Sequence, residues 1–148
     1  MAGTSLNAIA SYSTLDRAWG ELFKRSRPKS RNTLGIDDAS INDFARDPKP
    51  RLRAISSQLK SGEFVFNRLR PHLVVKPNGK YRVICVPTVH DRIVQRALLN
   101  FLTDKYGSRF KNAISYGFIK GRSVTKAVTR TCDLRNQHGW AFTHKSVD

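Results

Sequence analysis

KPNGKYRVICVP, residues 76–87, places two β-prone runs on either side of a Pro77-Asn78-Gly79 turn. Residues 73–75 (LVV) and 81–86 (YRVICV) are rich in β-branched and aromatic side chains. Asn and Gly tolerate the positive φ that tight turns demand, so the segment predicts a β-hairpin. Side chains alternate along a strand, which puts Lys80 and Arg82 on one face and Tyr81, Val83 and Cys85 on the other. Together with Lys76, the hairpin aims three cations at whatever lies over its tip. Such a face can clamp phosphate oxygens, or it can be a solvated edge whose charge guards against strand-to-strand aggregation.

Working outward, Phe64 and Phe66 followed by Arg68 and Arg70 alternate in a way that suggests a further strand over residues 64–70. After the hairpin, Pro87-Thr88 ends the second strand. Thr88 then caps a helix, with Asp91 three residues on in capping-box fashion. That helix presents Val94, Ala97, Leu98, Phe101 and Leu102 on one side and Arg92, Gln95 and Arg96 elsewhere. Residues 40–59 begin at a credible Ser40 cap and carry Ile41, Phe44, Leu52, Ile55 and Leu59, but Pro48 and Pro50 must divide them into a short helix and a longer one. Residues 14–24 form an amphipathic helix through Leu15, Ala18, Trp19, Leu22 and Phe23, with Thr14 as its N-cap. Between these helices, residues 25–33 (RSRPKSRNT) are polar, basic and interrupted by Pro28, predicting a loop or mobile arm. Its cations could touch nucleic acid or simply be solvated. A last helix over about 123–134 turns Val124, Ala127, Val128 and Thr131 inward. No internal repeat is visible, and the pattern predicts an α+β fold with helices packed around a small antiparallel sheet.

A second cationic segment, SYGFIKGRS at residues 115–123, interleaves Tyr116 and Phe118 with Gly117 and Gly121, then Lys120 and Arg122. Aromatics stack on bases and cations hold the backbone, so this segment could track a nucleic-acid strand. Gly121 ahead of the last helix could also leave backbone N–H groups free for an anion. The plainer alternative makes Tyr116 and Phe118 core residues and Lys120 a surface charge.

The 148-residue chain suits a single domain and is too short for a complete polymerase. Its formal charge is +16, and its sequence pI is about 10.7. Chains this basic partner nucleic acid more often than acidic membranes, because each phosphate neutralised releases counterions. Most of the excess lies beyond residue 63, in the half that holds both cationic segments. Two cysteines exclude a disulfide framework, and Cys85, inside an apolar run, reads as a buried thiol. Cys132, His138 and His144 are too loosely spaced for a zinc site. The sequence shows no secretory segment and no apolar run near the length of a membrane span, which favours a cytoplasmic setting.

Four segments in order resemble the N-terminal part of bacterial reverse transcriptases, the group II intron, retron-like and related defence enzymes. Gly35-Ile36-Asp37 is similar to the short element that precedes the fingers in the intron branch. KPNGKYRVICVP resembles the fingers hairpin, PTVHDRIVQRALLNFL resembles the helix that follows it, and SYGFIKGRS resembles the Tyr-Gly-Phe…Gly-Arg-Ser segment. The resemblance runs from about residue 33 to 142. Ahead of it the residues predict an N-terminal helix and basic linker over 1–32, and the resemblance implies a reverse transcriptase fingers region over 33–148, truncated before the catalytic palm motifs.

The resemblance further implies that Lys76, Lys80 and Arg82 contact the triphosphate of the incoming deoxynucleotide and the template, Arg82 foremost. It places Gly117, Phe118, Gly121, Arg122 and Ser123 along the template path, and Asp91 and Arg92 on a supporting helix. The implied partners are an RNA template, a DNA primer and deoxynucleotides, with no membrane. Mg²⁺ is the implied cofactor of the intact enzyme. The intron-type enzymes usually carry Arg-Pro where this chain has Ile119-Lys120, which brings it nearer to retron-like relatives.

Toward the end the pattern departs from the family. Trp140-Ala141-Phe142 fits the start of the strand that leads to the first metal-binding Asp, but His144 or Lys145 stands where that Asp is expected. Two-metal phosphoryl transfer needs carboxylates to hold the cations against the attacking and leaving oxygens. The expectation is therefore a truncation or frameshift near Phe142, with a separate palm-bearing chain as the alternative. No catalytic or metal-binding residue is assigned. The chain alone is expected to be catalytically silent, and the rival function is a stand-alone basic RNA-binding module.

Overall fold

The computed structural model describes residues 2–109, 114–117, 119 and 121–139. Among them the elements run α1 (Ala2–Ile9), α2 (Tyr12–Arg25), a 3₁₀ turn (Pro28–Asn32), α3 (Ile41–Arg46), α4 (Pro48–Ser61), β1 (Arg70–Val75), β2 (Tyr81–Val86), α5 (Val89–Tyr106) and α6 (Val124–His138). The fold is α+β, helices with one small antiparallel sheet, as the sequence predicts. The chain divides into two compact units, Met1–Lys105 and Tyr106–Asp148.

In the first unit, the apolar spacing of α2 buries Leu15, Ala18, Trp19 and Leu22 against Ile41 and Phe44 of α3 and Leu52 and Ile55 of α4. Val89, Ile93, Val94 and Ala97 of α5 complete this core. The Trp19 ring lies 4.6 Å from the Phe44 ring and 5.5 Å from Phe23. Ser56 of α4 donates to the Ala10 carbonyl at 2.6 Å, tying that helix to the corner between α1 and α2.

Local signals set most helix ends. Ser40 and Asp43 form a reciprocal capping box on α3, and the Ser40 hydroxyl holds the Asp43 pKa below its ordinary value. The chain breaks at Asp47 and resumes with Pro48 in the first turn of α4, where its fixed φ suits a helix and its missing N–H costs nothing. The predicted division at the prolines is therefore present. The cap of α2 is not Thr14 but Ser11. Ser11 accepts the Thr14 N–H, while the Thr14 hydroxyl turns back to the Ala8 carbonyl at 2.9 Å.

Two further expectations are corrected and a third is narrowed. Residues 63–69 form no strand. Phe64 packs against the helical core, Phe66 meets its ring edge-on at 5.3 Å, and the Asn67 N–H goes to the Asp91 carboxylate rather than to a neighbouring strand. Of the loop or mobile arm predicted over residues 25–33, the structure shows the loop, held by a 3₁₀ turn, and not a free arm. The Arg31 guanidinium lies 3.9 Å from the Phe23 ring centroid and donates to the Phe23 carbonyl at 3.0 Å. In the second unit, α6 buries none of its residues, and Val124 and Val128, predicted inward, are exposed. Among the described residues no helix is long and apolar enough to cross a membrane.

Candidate functional site

β1 and β2 pair in antiparallel register from Arg70↔Val86 to Val75↔Tyr81. Beyond the last pair the Lys76 N–H donates to the Lys80 carbonyl at 2.7 Å, so the loop proper is Pro77-Asn78-Gly79. The Gly79 N–H closes a β-turn onto the Lys76 carbonyl at 2.9 Å. Only Gly79 adopts positive φ, +77°, and Asn78 does not. Asn78 contributes its side chain instead, accepting the Lys80 N–H at 3.2 Å. A β-turn followed by one left-handed Gly is the common three-residue hairpin loop.

That register decides what each face carries. Arg82 lies opposite Val74, and alternation adds Lys76 and Lys80 to the same face. The three cations predicted from sequence are therefore brought together. All three are exposed, and among the described residues none has an ion-pair or hydrogen-bond partner for its charged group. The opposite face consists of the pairs Pro71↔Cys85, Leu73↔Val83 and Val75↔Tyr81. It too is open: Leu73 is 72% and Tyr81 67% exposed. The Cys85 thiol is exposed, which corrects the expectation of a buried one. Residues 71–86 contribute nothing to the buried core, and among the described residues no side chain covers this outer face.

The hairpin is braced at its root. Arg70, the first residue of β1, donates through Nη1 to the Gly35 carbonyl at 2.9 Å and to Asp38 Oδ1 at 2.5 Å. Asp38 stands at φ +54°, and the turn closes through Asp38 N–H to the Gly35 carbonyl. Gly35 is there because of close approach: a Cβ at this position would meet the Thr88 Cα at 3.1 Å. Thr88 is the cap of α5, accepting the Asp91 N–H at 3.2 Å. The Asp91 carboxylate, only 1% exposed, receives the Asn67 N–H at 3.2 Å and the Asn67 amide at 3.4 Å. Three segments that stood apart in the sequence, residues 35–38, 67–70 and 88–91, thus form one polar knot beneath the hairpin.

Nearby, His90 meets the Phe44 ring edge-on at 5.4 Å. Burial lowers its pKa from the ordinary value, Asp37 and Asp91 oppose that shift, and Arg51 adds to it. Arg92 is half-buried with no partner for its guanidinium among the described residues, and burial lowers its pKa as well. Sequence reasoning missed the bracing role of Asn67 and Arg70. The only advance signal was their position immediately before the hairpin.

The other predicted segment belongs to the second unit. Gly117 is exposed, Gly121 adopts φ +83°, and Ser123 caps α6 by accepting the Lys126 N–H at 3.2 Å. That cap occupies one of the backbone donors at the start of α6 that could otherwise face an anion. Arg122 is turned inward on its own loop: its guanidinium lies 5.2 Å from the Tyr116 ring centroid and donates to the Ser115 carbonyl. The Lys126 ammonium donates to the Gly121 carbonyl at 2.7 Å. Phe118 and Lys120 lie outside the described residues, as do residues 140–148.

No protein-family model matches the chain. Over 107 residues, 72% of its length, the chain is 34% identical to Protein YkfC of Escherichia coli (strain K12). The matched stretch spans 28% of that relative's length.

Proposed function

We propose that this chain carries the fingers portion of a reverse transcriptase and that its hairpin binds the RNA template and the triphosphate of an incoming deoxynucleotide. One observation carries the reading: Lys76, Lys80 and Arg82 share one face of a braced hairpin, exposed and, among the described residues, without counter-charges. Unpaired cations on a stiff ribbon need no side-chain rearrangement to meet phosphate, and an Arg fork can bind two of its oxygens at once. Arg92, a half-buried cation in the helix beside the knot with no partner among the described residues, adds to the positive field.

Mg²⁺ belongs to the chemistry of the whole enzyme class. Among the described residues no three His, Cys, Asp or Glu side chains gather where they could hold a metal ion. The reading therefore gives these residues binding and orientation and assigns them no metal-dependent step. The same observation favours a second reading, a basic RNA-binding module without catalysis. The two differ in whether deoxynucleotide triphosphates bind.

Titrating the chain with a deoxynucleoside triphosphate and, separately, with single-stranded RNA tests both. Lys80→Ala with Arg82→Ala should weaken triphosphate binding by at least about tenfold, since each charge-assisted hydrogen bond contributes about 1.5–3 kcal/mol. Unchanged triphosphate affinity would remove the hairpin from the site. RNA binding without any triphosphate binding would establish the module reading instead.

A further inference from the structure

We infer that α4 presents a second phosphate-binding surface, a row of Lys49, Arg53 and Lys60 that holds the backbone of single-stranded RNA independently of the hairpin. The inference goes beyond the hairpin reading and stands on different side chains.

The α3–α4 segment carries five cations, and the structure separates them into two groups. Arg46 pairs with Asp43 at 3.4 Å, and Arg51 lies over the Phe44 ring at 5.6 Å. Lys49, Arg53 and Lys60 are exposed and have no partner for their charged groups among the described residues. These three are also the ones that share a flank. The helix turns Leu52, Ile55 and Ser56 into the core. Spacings of four and then seven residues keep Lys49, Arg53 and Lys60 in one stripe beside that buried face. At the helical rise, they stand about 6 Å and then about 10 Å apart along the axis. A flexible single strand can adjust its phosphates to such intervals, and the row makes no demand on sequence.

At the start of the helix the placement also runs against local preference, whereas Lys60 stands in the last turn, where a cation suits the dipole. α4 has no acidic residue in its first turn, and Asp47, which precedes it, makes no capping hydrogen bond. Lys49 and Arg51 therefore stand at the positive end of the helix dipole, with Arg53 just beyond. Helices ordinarily place acids there. Rules broken locally without a gain in packing are expected where a binding surface is the gain. An acidic stretch of protein would also meet three cations, but the overall charge of +16 suits a uniformly charged polymer better.

Lysine acetylation of the full chain, with and without a saturating single-stranded RNA of about 20 nucleotides, reads both surfaces at once. Lys49 and Lys60 should become protected at α4, while Lys76 and Lys80 report on the hairpin. The triple substitution Lys49→Ala, Arg53→Ala, Lys60→Ala should lower the salt slope of RNA binding by about 2, at about 0.7 for each phosphate no longer neutralised. Alanine suits an exposed helix, so the variant should fold. The charge-conserving set Lys49→Arg, Arg53→Lys, Lys60→Arg should keep the slope. Equal acetylation of Lys49 and Lys60 with RNA bound, or an unchanged slope in the alanine variant, would overturn the row. Protection at Lys49 and Lys60 with none at Lys76 and Lys80 would overturn the hairpin reading and leave the row standing. Failure of the chain to bind RNA at all would overturn both.

Discussion

The helical body and the hairpin belong to the same unit but are held by different forces. In the body, Leu15, Ile41, Phe44, Leu52, Ile55 and Ile93 are almost wholly removed from water, so burial supplies the stability. In the hairpin no residue of either strand is buried. Its form rests on its ladder, on one left-handed Gly, and on Arg70, Asn67 and Asp91 at its root. Cations on a buried scaffold would lose hydration on folding; on a ribbon whose faces are both open they keep it until an anion arrives. The lesson is a division of labour between a part that makes the fold stable and a part that the knot merely aims.

The largest expected effect belongs to the body. Phe44→Ala removes a ring fully shielded from water that touches Trp19 and His90, and it should cost about 3–5 kcal/mol by urea unfolding. A loss below about 1 kcal/mol would mean that the core does not carry the fold. Asp91→Ala tests the knot. It leaves the Asn67 donors without an acceptor and should cost about 1–3 kcal/mol. Hydrogen exchange should quicken at residues 67–70 more than at Ile93 or Leu52; uniform quickening would show that knot and core are one cooperative element. Gly79→Val forces a branched side chain into positive φ and should cost about 1–2 kcal/mol, confined to the hairpin.

Smaller again is a pH effect in the body. Burial lowers the His90 pKa, so the unfolded chain takes up the proton more readily than the folded one. This contribution is full above the unfolded value of about 6.5 and declines as pH falls through it toward the lower folded value. His90→Gln should flatten unfolding midpoints between neutral and mildly acid pH; an unaltered profile would assign the acid sensitivity to another group. Last, Lys80→Ala and Arg82→Ala should each leave stability within about 0.5 kcal/mol while weakening phosphate binding. A large stability change there would erase the contrast between the two parts.

Much of this contrast was legible before the structure. Apolar spacing located the helices through Leu15–Phe23 and Ile41–Leu59, the prolines divided α3 from α4, and alternation grouped Lys80 with Arg82. These signals are local, carried by periods of two and 3.6 residues or by φ restrictions. What escaped was decided by partners distant in sequence. Phe64 and Phe66 alternate as a strand would, yet the core claims one ring and Asp91 claims the next peptide group. Arg31 reads as part of a solvated arm until Phe23 lies under it. Cys85 sits in an apolar run, but that run faces outward, and sequence gives no sign of which face of a two-stranded ribbon will be covered. The spacing of Lys49, Arg53 and Lys60 is written in the sequence, but the engagement of Arg46 by Asp43 and of Arg51 by the Phe44 ring is not.

The bare outer side of the ribbon has a consequence for how the molecule behaves in a tube. Leu73, Val75, Tyr81 and Val83 form a greasy strip with unfilled strand edges alongside, an invitation to a like strip on another molecule. Mutual repulsion between strongly cationic particles is what keeps two such strips apart. Since the screening length shrinks from about 30 Å at 0.01 M salt to about 3 Å at 1 M, this protein should stay clear in dilute buffer and cloud as electrolyte is added.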